Sequence, residues 1–227
     1  MKRDLIVKAG AFMTIVAIAL AWTLFGSRRV EAQGDDDRDA SFSRIQQGFS
    51  IAPVELNLQG KNPALVGLGS YLVNAVGACN VCHTAGGGMQ FAPGGNPFQG
   101  QEKKYNLATY LAGGRDMGTL PGGGAHIISR NLTPDKTGRP AGGLTFAEFV
   151  QIMRTGVDLD HLHPTCSGPI TPSCVAPPID GDLLQLMPWF AFQDMNDHDL
   201  RAMYEYLSAI PCNPGPPAPS PLHNDCG

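Results

Sequence analysis

The chain is short of charge, of alternation and of repetition. Charged residues make up only 16% of its 227 residues. No segment alternates apolar and polar residues convincingly with period two, which leaves little room for strands. No internal repeat is visible, so a solenoid or propeller is excluded. Beyond one short motif at 79–83, no second pair of cysteines shows the C-x₂₋₄-C spacing of a structural zinc site. Basic residues number 16 against 20 acidic ones, so nucleic acid is not an expected partner. What is abundant is glycine and proline, 28 and 19 residues. That composition describes one loop-rich domain with tails, large enough to bury a good core.

Residues 1–32 read as an export segment. Lys2, Arg3 and Lys8 give a basic start, Ala9 to Phe25 an apolar run, and Val30-Glu31-Ala32 small residues where a signal peptidase reads. The rival is a retained membrane anchor through residues 9–25. The run is short for a bilayer span of about 20 residues, and Arg28 and Arg29 put positive charge on its far side. Either reading places the body outside the cytoplasm, in a periplasmic setting. Removing 1–32 takes away five basic and two acidic residues, leaving 11 and 18 and a net charge of −7.

Residues 33–61 read as a linker and N-terminal extension: an acidic run at Asp35-Asp36-Asp37, then a stretch of mixed, irregular character. Asn62-Pro63 predicts a helix start, with Leu65, Leu68, Leu72 and Val76 on one face and an end near Gly77. Residues 84–124 form a long loop with one short turn of helix near Tyr105–Leu111. Thr145-Phe146-Ala147-Glu148 is a capping box. Phe146, Phe149, Val150 and Met153 follow at helical spacing, and Gly156 suits the stop. Asn196 caps a last helix whose Leu200, Met203, Tyr204, Leu207 and Ile210 face inward, closed by Pro211. Residues 212–227 are a proline-rich tail. Outside the motif, Cys166, Cys174, Cys212 and Cys226 form an even set in an exported chain, which implies two disulfides. The pairing that closes the shortest loops is Cys166–Cys174 with Cys212–Cys226.

The motif is Cys79-Asn80-Val81-Cys82-His83. Two thiols three positions apart lie on one side of a helical turn and can add to the two vinyl groups of one haem, and the next residue then presents an imidazole to the iron. The competing reading, a thioredoxin-like redox pair, expects a preceding strand and a βαβ pattern, and a helix stands there instead. The expected cofactor is therefore one covalent haem c. His83 supplies one axial ligand, and the second decides function: a methionine makes an electron carrier, an open position admits ligands or catalysis. Met187, in Leu186-Met187-Pro188-Trp189, is the choice. Pro188 fixes the backbone beside it, whereas Met153 and Met203 fall on helical apolar faces and Met195 adjoins a helix cap. His161 and His163 sit in a loop and are weaker candidates.

Gly69-Ser70-Tyr71-Leu72 before the motif, Asn131-Leu132-Thr133-Pro134-Asp135, Phe149 through Arg154-Thr155-Gly156, Met187-Pro188-Trp189, and Leu200 to Tyr206-Leu207 together resemble the class I cytochrome c domains of the haem subunits of periplasmic alcohol and aldehyde dehydrogenases. The resemblance covers residues 62–211. It implies an all-α, class I cytochrome c fold with first and last helices crossing near Gly69 and Tyr204. It also implies Met187 as sixth ligand and Asn131 in a loop near the haem edge. Those subunits usually carry several such domains, and this chain has one attachment motif.

The expectation is thus a non-enzymatic electron carrier that passes single electrons between a dehydrogenase and the respiratory chain. The acidic body implies redox partners with a cationic docking surface. The alternative is a haem enzyme or ligand-sensing cytochrome with an open or exchangeable sixth site.

Overall fold

A computed structural model describes residues 39–84, 90–217, 220 and 222–227. The export segment 1–32 with its apolar run 9–25, the acidic run 35–37 and part of the 84–124 loop lie outside the described residues. The chain divides into two compact units, residues 1–43 and 44–227. A helix, α1, covers residues 39–51, where the expectation was irregular structure over 41–60. Its signal is Phe42, Ile45 and Phe49 at helical spacing.

The second unit is built on α2, Pro63–Tyr71. Asn62 caps it, its side chain accepting from the Ala64 amide, and Pro63 occupies the first turn, where a missing N–H costs nothing. The helix then widens into a π-helical stretch, Leu72–Val76, closed by the Gly77 amide on the Leu72 carbonyl. The extra residue in that turn shifts the register. Leu68 and Leu72 stay buried, but Val76 is swung out to 62% exposure instead of continuing the apolar face.

Two close crossings bury α2 on opposite sides. At Gly48 of α1 a Cβ would overlap the Gly67 carbonyl, and the Ser70 hydroxyl donates to the Gly48 carbonyl at 2.7 Å. On the other side, a Cβ on Gly69 would overlap the Ala202 carbonyl of α6, Asp197–Leu207. Tyr206, fully buried, faces this crossing and joins a polar knot inside the core. Asn74 donates to the Tyr206 hydroxyl at 3.1 Å and accepts from the Tyr110 hydroxyl at 2.5 Å, and the two phenols lie 2.9 Å apart. Burial raises the pKa of both tyrosines, so they stay neutral.

α3 is one distorted turn, Pro140–Gly143, with positive φ at Ala141 and Gly142. α4, Phe146–Thr155, starts in a complete capping box between Thr145 and Glu148 and ends at Gly156 in the left-handed conformation. Phe146 and Phe149 pack edge-on against Tyr204 of α6. α5 is the single turn Trp189–Phe192.

The all-α expectation is corrected. Among the described residues the helices are short, long loops join them, and β1 (Asp116–Thr119) pairs antiparallel with β2 (His126–Ile128). The glycines make this possible: Gly122, Gly123 and Gly124 all hold positive φ and reverse the chain between the two strands. A register shift between Asp116 and Thr119 breaks the alternation that would have betrayed the pair. Isolated bridges, such as Phe91 with Tyr105 and Val157 with Leu183, tie the loops together. The short helical turn expected near Tyr105–Leu111 is instead a non-helical turn at residues 107–111. Both disulfides form in the local pairing, Cys166–Cys174 and Cys212–Cys226.

Candidate functional site

The motif follows the π-helical stretch after Gly77 and Ala78. Ala78 takes a left-handed conformation, φ 46°, unusual for a residue with a Cβ and a local strain often found beside functional groups. It turns the chain into a 3₁₀ turn, Cys79–Val81, in which the Cys82 and His83 amides both bond the Cys79 carbonyl at 3.2 and 2.9 Å. Asn80 pins the turn from behind, its buried Oδ1 accepting from the Leu111 amide at 2.8 Å. Cys79 and Cys82 are free thiols, while the other four cysteines are bridged. Burial pushes the Cys79 thiol up to about 12, which keeps it neutral and makes it a poor thiolate nucleophile.

His83 is oriented by its neighbour across the cavity. Its Nδ1 lies 2.8 Å from the Arg130 carbonyl, which can only accept, so Nδ1 carries the hydrogen and Nε2 keeps its lone pair. Burial draws the His83 pKa down, holding the ring in the neutral form that ligates metals.

Two cavities adjoin here, of about 330 and 160 Å³. Cys79, His83, Arg130, Asp158, Leu184 and Met187 border both, and Cys82 borders the smaller. Met187 arrives on a strap that α4 holds in place. A Cβ on Gly156 would overlap the Trp189 indole, so glycine at the end of α4 is what lets Trp189 seat there. The Gly156 carbonyl also accepts from the Leu184 amide at 2.7 Å. Arg154 donates to the Gln193 carbonyl and to Asp197 at the start of α6. Met153 and Met203 border the larger cavity too, but each is 3% exposed within the core.

Asn131 borders the larger cavity, with its polar atoms already engaged. Its Oδ1 accepts from the Thr133 amide and hydroxyl at 2.9 and 2.8 Å, and its Nδ2 donates to the Asn213 carbonyl at 2.8 Å. It therefore staples the 131–134 loop to the C-terminal tail. The tail lines the site: Leu222, His223, Asn224 and Asp225 close part of the larger cavity, and the Asn224 side-chain amide donates to the Thr133 and Pro134 carbonyls. His163 borders the smaller cavity, whereas His161 is exposed beside Asp182.

Sequence reasoning missed Arg130, Asp158 and the tail residues. Arg130 and Asp158 are 28 positions apart, and no local pattern signals their pairing. Among the described residues no cluster of three or more His, Cys, Asp or Glu could hold a metal ion by itself. No helix among them is long and apolar enough to cross a membrane.

No family model matches the chain. Among curated proteins it is similar to a subunit of the nicotinate dehydrogenase of Pseudomonas putida, 32% identical over 138 residues, which is 60% of this chain and 8% of that protein. It is similar to the gluconate 2-dehydrogenase cytochrome c subunit of Pantoea cypripedii, 31% identical over 148 residues, 64% of this chain and 23% of that one. A third relative is the cytochrome c subunit of the quinone alcohol dehydrogenase of Gluconacetobacter polyoxogenes, 27% identical over 172 residues, 73% of this chain and 27% of that one. The chain thus resembles the cytochrome c subunits of dehydrogenases and spans about a quarter or less of these relatives' lengths.

Proposed function

We propose that this chain is an electron-transfer protein carrying one covalently bound haem c, working beside a dehydrogenase and passing its electrons towards the respiratory chain. One observation carries the reading: Cys79, His83 and Met187 border the same two adjoining cavities, with Cys82 beside them.

The residues present fit such a group. Two unpaired thiols, a neutral imidazole with a free Nε2, a thioether and a lining rich in leucine, methionine and phenylalanine make up the donor set and the apolar bed. Cys79 and Cys82 would hold the macrocycle, and His83 and Met187 the iron. The group supplies one-electron Fe(III)/Fe(II) cycling when bound.

The chain's own residues do the rest. The Arg130 carbonyl fixes the His83 ring and raises its basicity as a ligand. The strap seated on Gly156 brings Met187 to the border of both cavities, where its thioether would complete the ligand set, and electron passage needs neither a general acid nor a nucleophile. The core around α2, α4 and α6 packs apolar side chains beside the cavities, an environment that would limit reorganisation on electron transfer. Residues 62–211 form the haem domain in this reading, with 33–61 as extension and 212–227 as tail. The disulfides support an oxidising, periplasmic location, with residues 1–32 as its export signal or a membrane anchor. The relatives' names support a dehydrogenase as the partner, and the acidic body suits a partner with a cationic docking surface.

The test is covalent attachment. Purified from an export-competent host, the wild type keeps a haem-stained band after denaturation and electrophoresis, and Cys79→Ser/Cys82→Ser loses it. A wild-type chain that releases its haem on denaturation, or never takes it up, overturns the reading.

A further inference from the structure

The wall between the two cavities holds a buried charge pair that the electron-carrier reading does not use. Arg130 Nη2 lies 2.6 Å from Asp158 Oδ1, and the two side chains are 20% and 2% exposed. The pair is incompletely satisfied. Arg130 Nη1 and Asp158 Oδ2 are buried without a hydrogen-bond partner, two of the four such side-chain atoms among the described residues. The exposed Asp160 carboxylate lies 3.5 Å from Nη1 and does not hydrogen-bond it. Asp158 Oδ1 is engaged further, accepting from the Asp160 amide at 3.2 Å.

A buried ion pair is a weak source of stability, since desolvation offsets most of the attraction. A pair left partly unpaired is weaker still. Its position is the informative feature. Both residues border both cavities, and the Arg130 main chain is the group that orients His83. Fixed charges in a poorly hydrated wall act on a neighbouring redox centre with little screening. A positive charge favours the reduced, less positive iron, and a negative charge favours the oxidised one.

Resting on the haem reading above, we infer that Arg130 and Asp158 are positioning residues that set the reduction potential of the bound group by opposing charges, Arg130 raising it and Asp158 lowering it. The pair holds the two contributions in near balance. It also anchors the carbonyl on His83, so the same residue that orients the ligand carries the charge.

The test is spectroelectrochemical titration of the holoprotein, wild type against Arg130→Gln, Arg130→Lys, Asp158→Asn and the Arg130→Gln/Asp158→Asn double variant. Haem content of each is checked first by the pyridine haemochrome spectrum. Arg130→Gln is expected to lower the reduced-to-oxidised ratio at fixed potential about tenfold, which is about 59 mV for one electron. Asp158→Asn moves it by a similar factor the other way, Arg130→Lys stays near wild type, and the double variant returns towards it. Shifts of one sign for both single variants, or none, in haem-loaded protein overturn the inference and leave the carrier reading standing. A wild type without covalent haem sinks that reading instead, and the inference with it. If Asp158→Asn fails to fold, Arg130→Gln against Arg130→Lys decides alone: equal potentials contradict the inference.

Discussion

At the scale of single residues, the site depends on keeping His83 neutral. Burial draws its pKa down, so the folded chain favours the uncharged ring while the unfolded chain takes up a proton near its ordinary value, about 6.5. The stabilising share from this residue is therefore present above that value and lost as pH falls below it towards the depressed folded pKa. In the haem-free Cys79→Ser/Cys82→Ser variant, denaturant midpoints should decline below about pH 6.5. Adding His83→Gln should flatten that decline, and an unchanged slope would mean that the ring is not held neutral by burial. Met187 and the motif stand out as candidates in the sequence because their signals are local, a fixed spacing and a proline, and the fold brings them to the same cavities. Arg130 and Asp158 are not, because what matters about them is a contact made only by the folded chain.

At the scale of elements, caps and crossings behave differently. Asn62, Thr145 with Glu148, Gly156 and Asn196 all cap the helices they announce, since a cap is satisfied within a few residues of itself. The β1–β2 pair leaves no trace, because two strands of three or four residues with a register shift offer no alternation to read. α1 does carry a local signal, Phe42, Ile45 and Phe49 at helical spacing, but its close approach to α2 at Gly48 and Gly67 leaves no hydrophobic trace. The crossings give a sharp expectation. Gly69→Val should lower the urea midpoint by the equivalent of about 1–3 kcal/mol, since its side chain would press on the Ala202 carbonyl and Tyr206. A variant as stable as wild type would show that α2 and α6 do not meet there. Gly156→Ala is expected to be strained at its φ of 71° and to displace Trp189. Its readout is a perturbed spectrum at the proposed Met187 ligand, and an unperturbed one would detach the strap from α4.

At the scale of the whole molecule, the tail and the net charge matter most. Cys212–Cys226 closes the tail, and Asn213 and Asn224 hydrogen-bond it to the 131–134 loop. Cys212→Ser/Cys226→Ser should lose about 2–4 kcal/mol of stability and loosen the wall of the larger cavity. Equal melting of variant and wild type would mean that the tail is not part of the folded unit. The acidic body is expected to make electron transfer to its partner slow down as salt rises from low to high ionic strength. A rate indifferent to salt would remove the cationic docking surface from the account.

The central claim is that one haem sits between His83 and Met187. Absorption spectra of oxidised and reduced protein, wild type and Met187→Ala, with and without carbon monoxide, test it most directly. The oxidised wild type is expected to show a weak far-red band and no carbon monoxide binding, with the band lost and carbon monoxide bound in Met187→Ala. A wild type that already binds carbon monoxide, or a variant whose spectrum is unchanged, would contradict the claim and leave Met187 as a packing residue beside an iron ligated otherwise.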